Sequence, residues 1–418
     1  MTHDQPPVPQ RSRRSALGLL GAAPLAAGAA ASIRDIAGPG PAQVWTAARA
    51  APAGPLPGGL DAYDQFVAQQ AAKDQFSGTV LLAYRGRPVL ARAYGMADKE
   101  KSIPNGIGTI FGLASMGKIF TGIAVCQLAA QGKIDFYATV GTYLDGFPAR
   151  IAGTVTVHQI FTHTGGMGNY QISPLWQQEA RNWTTPAQEF ADTMAVIRQS
   201  PLLSTPGTAY SYSNSGYYTL GAIVAQVSGQ PFGDYIRAHV FGPAGMTHTG
   251  YYTTAQILAN PGIAHAYGPA QPDGSRVDLT TQPGQIVGTG GGAGSGGGFS
   301  SAPDLLSLAL ALRSGTLLDP AYTKVVTHGK YPLSPSDLSD QPPSQSIMSG
   351  YGFEERIVNN RRIFGHGGAA PRPGGIAVDL SICPGLDRVA ILLSNYYVNT
   401  IPYLQLEDQI LTQEGITP

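Results

Sequence analysis

Ser115-Met116-Gly117-Lys118 opens the run Ile119-Phe120-Thr121-Gly122-Ile123-Ala124-Val125-Cys126-Gln127-Leu128. Its apolar residues recur at helical spacing, which predicts a helix from Ser115 to about Gln131, with Gly132 where a C-cap glycine belongs. Ser115 and Lys118 then lie one turn apart on one face, with Cβ atoms about 5–6 Å apart. Helical side chains lean toward the N-terminus, so the Lys118 amine can reach the Ser115 hydroxyl. The positive end of the helix dipole disfavours an ammonium there, and burial disfavours it further. Both effects push Lys118 toward a neutral amine that can accept a proton. Backbone N–H groups at the helix start are placed to stabilise an oxyanion. The plainer reading is a capping serine beside a solvated lysine; the apolar Ile119, Phe120 and Ile123 argue against it.

On the N-terminal side, Leu60, Tyr63, Phe66 and Val67 have helical spacing, and Gly78 to Tyr84 and Pro88 to Tyr94 read as a hairpin around Arg85-Gly86-Arg87. On the C-terminal side, residues from about 133 to 260 alternate helical segments with Pro/Gly-rich loops, Gly216 to Val227 being the clearest helix. Strand patterns return at Arg361 to Gly365, Gly375 to Ile382 and Arg388 to Asn395, and an amphipathic helix closes the chain from Ile401 to Leu411. The expected class is α+β: an antiparallel β-sheet flanked by terminal helices, with a mainly helical subdomain inserted at about 115–290 of a domain spanning 60–418. Gly288 to Gly298 holds eight glycines. No Gly-Lys-Ser/Thr follows, so it is read as a turn leading into Ser300-Ser301-Ala302-Pro303-Asp304, where a serine caps the next helix, and not as a phosphate cradle.

Two further elements carry chemistry. Tyr212-Ser213-Asn214 follows the turn Pro206-Gly207. A phenol beside an ammonium can ionise below its ordinary pKa of about 10 and shuttle protons; the Asn214 amide can hold the lysine and orient a substrate carbonyl. Tyr397-Val398-Asn399 has the same form, and Tyr210 reads as packing. The other element is His366-Gly367-Gly368, after the strand from Arg361. His163-Thr164-Gly165 and His248-Thr249-Gly250 compete with it, but only His366 adjoins a strand that can wall the serine and offer N–H groups.

Composition limits the partners. Of 418 residues, 43% are hydrophobic, and Lys plus Arg balance Asp plus Glu, so nothing marks a nucleic-acid surface. The expected partner is a small molecule. Ser12-Arg13-Arg14-Ser15-Ala16-Leu17 precedes an Ala/Gly/Leu-rich stretch, which reads as a twin-arginine export signal over 1–31 with Ala29-Ala30-Ala31 at the cleavage site. The alternative for that stretch is a disordered Ala/Pro tail. Residues 32–59 read as a flexible linker. The apolar stretch is short for a membrane span, so the expectation is a periplasmic or secreted protein with no stable span after cleavage. Cys126 and Cys383 sit in apolar sequence and are read as small buried hydrophobes, with their bonding left open. No zinc-ligand spacing occurs, and no metal is expected.

In order, Ser115-x-x-Lys118, Tyr212-Ser213-Asn214 and His366-Gly367-Gly368 resemble the motifs of the serine β-lactamase and penicillin-binding-protein superfamily. The resemblance is to the class C branch, with its D-alanyl-D-alanine carboxypeptidases, D-aminopeptidases and family VIII carboxylesterases. It runs from about Leu60 to Leu411 and includes Phe161-Thr162-His163-Thr164-Gly165-Gly166 and Ser301-Ala302-Pro303-Asp304-Leu305. It implies Ser115 as nucleophile, Lys118 as its activator and Tyr212 as general base. Asn214, His366, Gly367 and Gly368 would contact substrate, and the backbone N–H groups of Ser115 and Ala369 would form the oxyanion hole, with no cofactor. Gly367 stands where a Ser or Thr is common, which removes a hydroxyl for a substrate carboxylate and favours esters or uncharged amides. The expected function is therefore an exported esterase or amidase acting on a small acyl substrate. The alternatives are a carboxypeptidase or β-lactamase, and a non-catalytic penicillin-binding sensor.

Overall fold

The computed structural model describes residues 59–282, 288–334, 346–370 and 374–414. The expected export signal, and the expected linker apart from Gly59, lie outside the described residues. The central feature is an eight-stranded antiparallel sheet. Its strands in chain order are β1 (Gly78–Tyr84), β2 (Arg87–Tyr94), β3 (Tyr331–Pro332), β4 (Ser346–Ser349), β5 (Glu354–Val358), β6 (Arg361–Ala369), β7 (Ala377–Cys383) and β8 (Arg388–Ser394). Across the sheet they run β2-β1-β8-β7-β6-β5-β4-β3. The first two strands thus join the last three, with β1 paired to β8 from Gly78↔Ser394 to Tyr84↔Arg388. Arg85 and Gly86 turn the β1–β2 hairpin with φ of 50° and 78°, the two positive values that a tight two-residue hairpin turn requires.

The central strands β1, β7 and β8 are mostly apolar and almost wholly buried because both faces are covered. On one face, Val80, Leu82 and Leu392 pack with Tyr63 and Val67 of α1 (Leu60–Ala72) and with Tyr403 and Ile410 of α5 (Ile401–Thr412). On the other, Leu81, Ile391, Leu393 and Leu380 meet α2 (Lys118–Ala130), α3 (Asn214–Ser228) and α4 (Ala302–Ser314). The α2 helix lies in the middle of that larger core; of its 13 residues, only Gln127 and Ala130 are not buried. Further helices, including Val157–Phe161, Pro174–Glu179 and Pro186–Gln199, build the middle of the chain, the first of them opened by a Thr156/Gln159 capping box.

The structure corrects two element boundaries. The helix expected from Ser115 begins at Lys118, and Ala114–Gly117 forms a 3₁₀ turn in front of it. Ala114 is held at φ 45°, and its carbonyl accepts the Gly297 N–H at 2.7 Å, so the chain cannot enter α geometry until one turn later. The strand from Arg361 continues past Gly365 to Ala369, because Ala377 to Ile382 pair with that whole length, so His366-Gly367-Gly368 lies in the strand and not after it.

Candidate active site

Side chains at i and i+3 eclipse in a 3₁₀ turn. Ser115 and Lys118 are so related, and Lys118 Nζ lies 3.3 Å from Ser115 Oγ. Lys118 is completely buried. Its amine also donates to Asn214 Oδ1 at 2.8 Å and, in a very short contact, to the Ser295 carbonyl. Burial pulls its pKa from the usual lysine value down to about 7, against a smaller upward pull from Glu354. The three neighbours fit a neutral amine: its two N–H bonds serve the two carbonyl oxygens, and its lone pair faces the Ser115 hydroxyl.

Tyr212 approaches from across the cleft. Its hydroxyl donates to Ser115 Oγ at 2.8 Å, and Lys118 Nζ lies 4.8 Å from its ring centroid. The ring is 39% exposed, so it forms part of the cleft wall while its oxygen points inward. The phenol beside an ammonium was expected to ionise more easily. Instead burial pushes the Tyr212 pKa above its ordinary value, the Ser115 hydrogen bond only partly offsetting it, because Lys118 sits over the ring face and is itself poorly charged. Ser213 caps α3 by accepting the Gly216 N–H, and Asn214 begins the helix, so one helix start fixes this motif. The Asn214 Nδ2 group donates to Gln171 Oε1 at 2.6 Å.

His163, a rejected competitor for the third motif, supports this element. Its Nδ1 accepts the Ser213 N–H at 3.0 Å, and its ring stacks on Tyr212 at 4.4 Å. Burial holds its pKa well below the ordinary value, in keeping with an acceptor nitrogen. His248, the other competitor, gives its N–H to Asp304 Oδ2 at the start of α4. Tyr210 packs edge-on against His163.

The third wall is β6. Its pairing with β5 stops at Glu354↔Gly365, which leaves residues 366–369 with an open edge. Ala370 N–H bonds to Ile376 O on the β7 side. Strand alternation then turns the Ala369 N–H toward the open edge, as it does that of Gly367. Gly368 backs onto the serine turn: a Cβ there would lie 3.0 Å from Met116 N and 2.1 Å from Leu113 O. His366 is buried, burial lowers its pKa, and its charge and that of Lys118 influence one another.

The glycine-rich stretch, read as a turn, is a missed part of the site. A Cβ on Gly117 would lie 2.4 Å from Gly297 O, and one on Gly294 would lie 2.4 Å from Tyr217 O. This close backbone approach threads the stretch between α2 and α3 and delivers the Ser295 carbonyl to Lys118. The density of glycine was the available signal; which helices it passes between was not.

A serine on a helical turn, a buried lysine one turn on, a tyrosine opposite and an open strand edge make up the arrangement of active-site-serine proteins built on the β-lactamase/transpeptidase fold. The chain belongs to the beta-lactamase family, whose model matches residues 63–404. It is 31% identical over 200 residues to penicillin-binding protein 4* of Bacillus subtilis (47% of this chain, 42% of that protein). It is 30% identical over 207 residues to esterase EstB of Burkholderia gladioli (47% and 51%). These matches span about half the length of each relative. A penicillin binding protein from Bacillus halodurans, solved by crystallography, superposes with a TM-score of 0.66 at 27% identity, covering 82% of this chain and 97% of that one.

Among the described residues, no group of His, Cys, Asp and Glu is placed to hold a metal ion, and no helix is long and apolar enough to cross a membrane. Cys126 and Cys383 are buried free thiols.

Proposed function

We propose that this chain is an exported serine hydrolase that forms an acyl-enzyme on Ser115 and acts on esters or amides of small acyl groups. The observation that carries this reading is the buried Lys118 amine, held by two carbonyl oxygens with its nitrogen 3.3 Å from Ser115 Oγ. Lys118 takes the Ser115 proton as Oγ attacks the carbonyl carbon. The N–H groups of Ser115 and Ala369 stabilise the oxyanion. Tyr212 gives its proton to the leaving group, and the resulting phenolate is balanced by the Lys118 ammonium. Water then attacks the acyl-enzyme and yields a proton to the phenolate, while Lys118 returns one to Ser115. This order makes Lys118, which the resemblance implies as the activator of Ser115, the first base, and Tyr212, which it implies as general base, the acid in acylation and the base in deacylation. The raised Tyr212 pKa and lowered Lys118 pKa favour it.

Relatives named both as an esterase and as a penicillin-binding protein keep a peptidoglycan-directed activity as the second reading. Hydrolysis of a short p-nitrophenyl ester, measured beside nitrocefin and a D-Ala-D-Ala peptide, separates the two. An inert ester with a cleaved peptide reverses the order. Intact-mass analysis after fluorophosphonate treatment should show one adduct on the peptide containing Ser115 and none in Ser115→Ala; labelling without turnover of any substrate would leave only the sensor reading.

A further inference from the structure

Gly367 faces the opposite side of β6 from His366 and Gly368. A Cβ placed on it would lie 3.5 Å from Asp379 Oδ1 and 3.5 Å from Val378 O, which is ordinary van der Waals contact. The position therefore has room for a side chain and carries none. Asp379 stands directly across the ladder on β7, paired with Gly367, and is 5% exposed. Its Oδ2 accepts from Ser381 Oγ at 2.5 Å, and its Oδ1 has no hydrogen-bond partner among the described residues. The cation beside it, Arg356, is already engaged. Its Nε and Nη2 bind Asp408 at 2.6–3.2 Å, and Nη2 also reaches Ser381 Oγ at 2.9 Å. Glu354, half-buried and opposite Gly365, makes no ion pair among the described residues, yet its charge acts on Asp379, His366 and Lys118. Around Asp379, behind Gly367, there are thus three further carboxyl groups, Glu354, Asp408 and Glu407, and one arginine among the described residues.

We propose that Asp379, reached past the bare Gly367, makes this end of the cleft a specificity subsite that accepts an ammonium or neutral group of the substrate and rejects a carboxylate. A like charge held against a poorly solvated carboxylate is repelled, and a repulsion of about 1.4 kcal/mol is already tenfold in selectivity. Burial, the largest influence, pushes the Asp379 carboxyl up to about 6, with Arg356 and Ser381 pulling it down and Asp408 and Glu354 adding to the rise. The subsite is therefore charged at pH 8. The inference rests on the serine-hydrolase reading above and refines its substrate class.

The test is a matched set of thioesters at pH 8, read by released thiol, with the full-length protein. One series places a quaternary ammonium, a methoxy group or a carboxylate in the leaving group; the other places the same groups in the acyl part. In at least one series, kcat/KM for the cationic substrate should exceed that for the anionic one by about tenfold or more. That ratio should fall toward one in Asp379→Asn and in Gly367→Thr, which leaves the carboxylate in place but covers it. A ratio near one in both series, or a ratio unchanged in both variants, overturns the subsite while leaving the hydrolase intact. Failure of the protein to cleave even the neutral thioesters overturns the hydrolase reading and the subsite with it.

Discussion

At the scale of single residues, the site is a problem of where one proton rests. Lys118 is buried without a carboxylate partner, so it titrates near neutrality, while Tyr212 is pushed the other way. The sign follows directly: the amine must be unprotonated to accept from Ser115, so kcat/KM should rise as pH increases through about 7, with no fall caused by Tyr212 below the ordinary tyrosine range. A profile flat from pH 5 to 9 would contradict Lys118 as first base. Lys118→Ala and Tyr212→Phe should each lower kcat by several orders of magnitude, and the double variant by little more, because the two act as one unit. His163→Ala removes the ring against Tyr212 and the acceptor for Ser213 N–H. A loss of roughly 10- to 100-fold in kcat with little change in folded content is expected, read by ester hydrolysis beside circular dichroism. Ser115, Lys118, Tyr212 and Asn214 were legible as a set because each belongs to a short motif. His163 was seen and set aside, since the letters of a His-Thr-Gly box do not say which wall of the cleft it serves. Ser295 has only the density of glycine around it as a signal and Asp379 has none, since the backbone that each faces is brought there by tertiary structure.

At the scale of elements, close approach sets the geometry. The serine turn, α3 and the Gly294–Gly297 stretch touch backbone to backbone, and a side chain at Gly294 would meet Tyr217 O at 2.4 Å and the Gly221 Cα at 2.7 Å. Gly294→Ala should therefore destabilise the fold by about 1–3 kcal/mol and displace the Ser295 carbonyl from Lys118. Thermal unfolding would read the first effect, and a shift in the pH profile of kcat/KM the second. Elements built on local patterns were well placed by their periodicity: the β1–β2 hairpin, β7, β8 and the closing helix depart from expectation by only a few residues. The misplaced boundaries lie where tertiary contacts override local preference. Ala114 is held left-handed by Gly297, and β6 is extended by its pairing to β7.

At the scale of the whole molecule, the terminal segments close the sheet, and they carry a buried polar cluster. Tyr63 of α1 donates to Glu407 of α5, while Arg356, Asp379 and Asp408 lie alongside. Burial, then the charge of Asp379, raises the Glu407 carboxyl to about 8. A carboxyl with a raised folded-state pKa binds more protons folded than unfolded between about 4.5 and 8, so its contribution is present below that range and is lost as pH rises through about 8. Taken alone this lowers the melting temperature between pH 6 and pH 9, while Lys118, with its lowered pKa, adds stability as pH rises above about 7. The test is therefore differential: Glu407→Gln should raise the melting temperature at pH 9 relative to that at pH 6, compared with the parent protein. Equal slopes in the two proteins would show that Glu407 is not the group responsible.

The sequence by itself determined the β1–β2 hairpin, the core of β6 to β8, the helices after Ser115 and at the C-terminus, and the order of the motifs, because periodicity, turn chemistry and one-turn spacing are local properties; β3, β4 and β5 left no such pattern. Tertiary structure alone decided that a glycine-rich loop supplies the acceptor for the Lys118 amine and that a carboxylate stands behind Gly367. Each of these depends on backbones far apart in the chain coming within van der Waals contact, which no local spacing records.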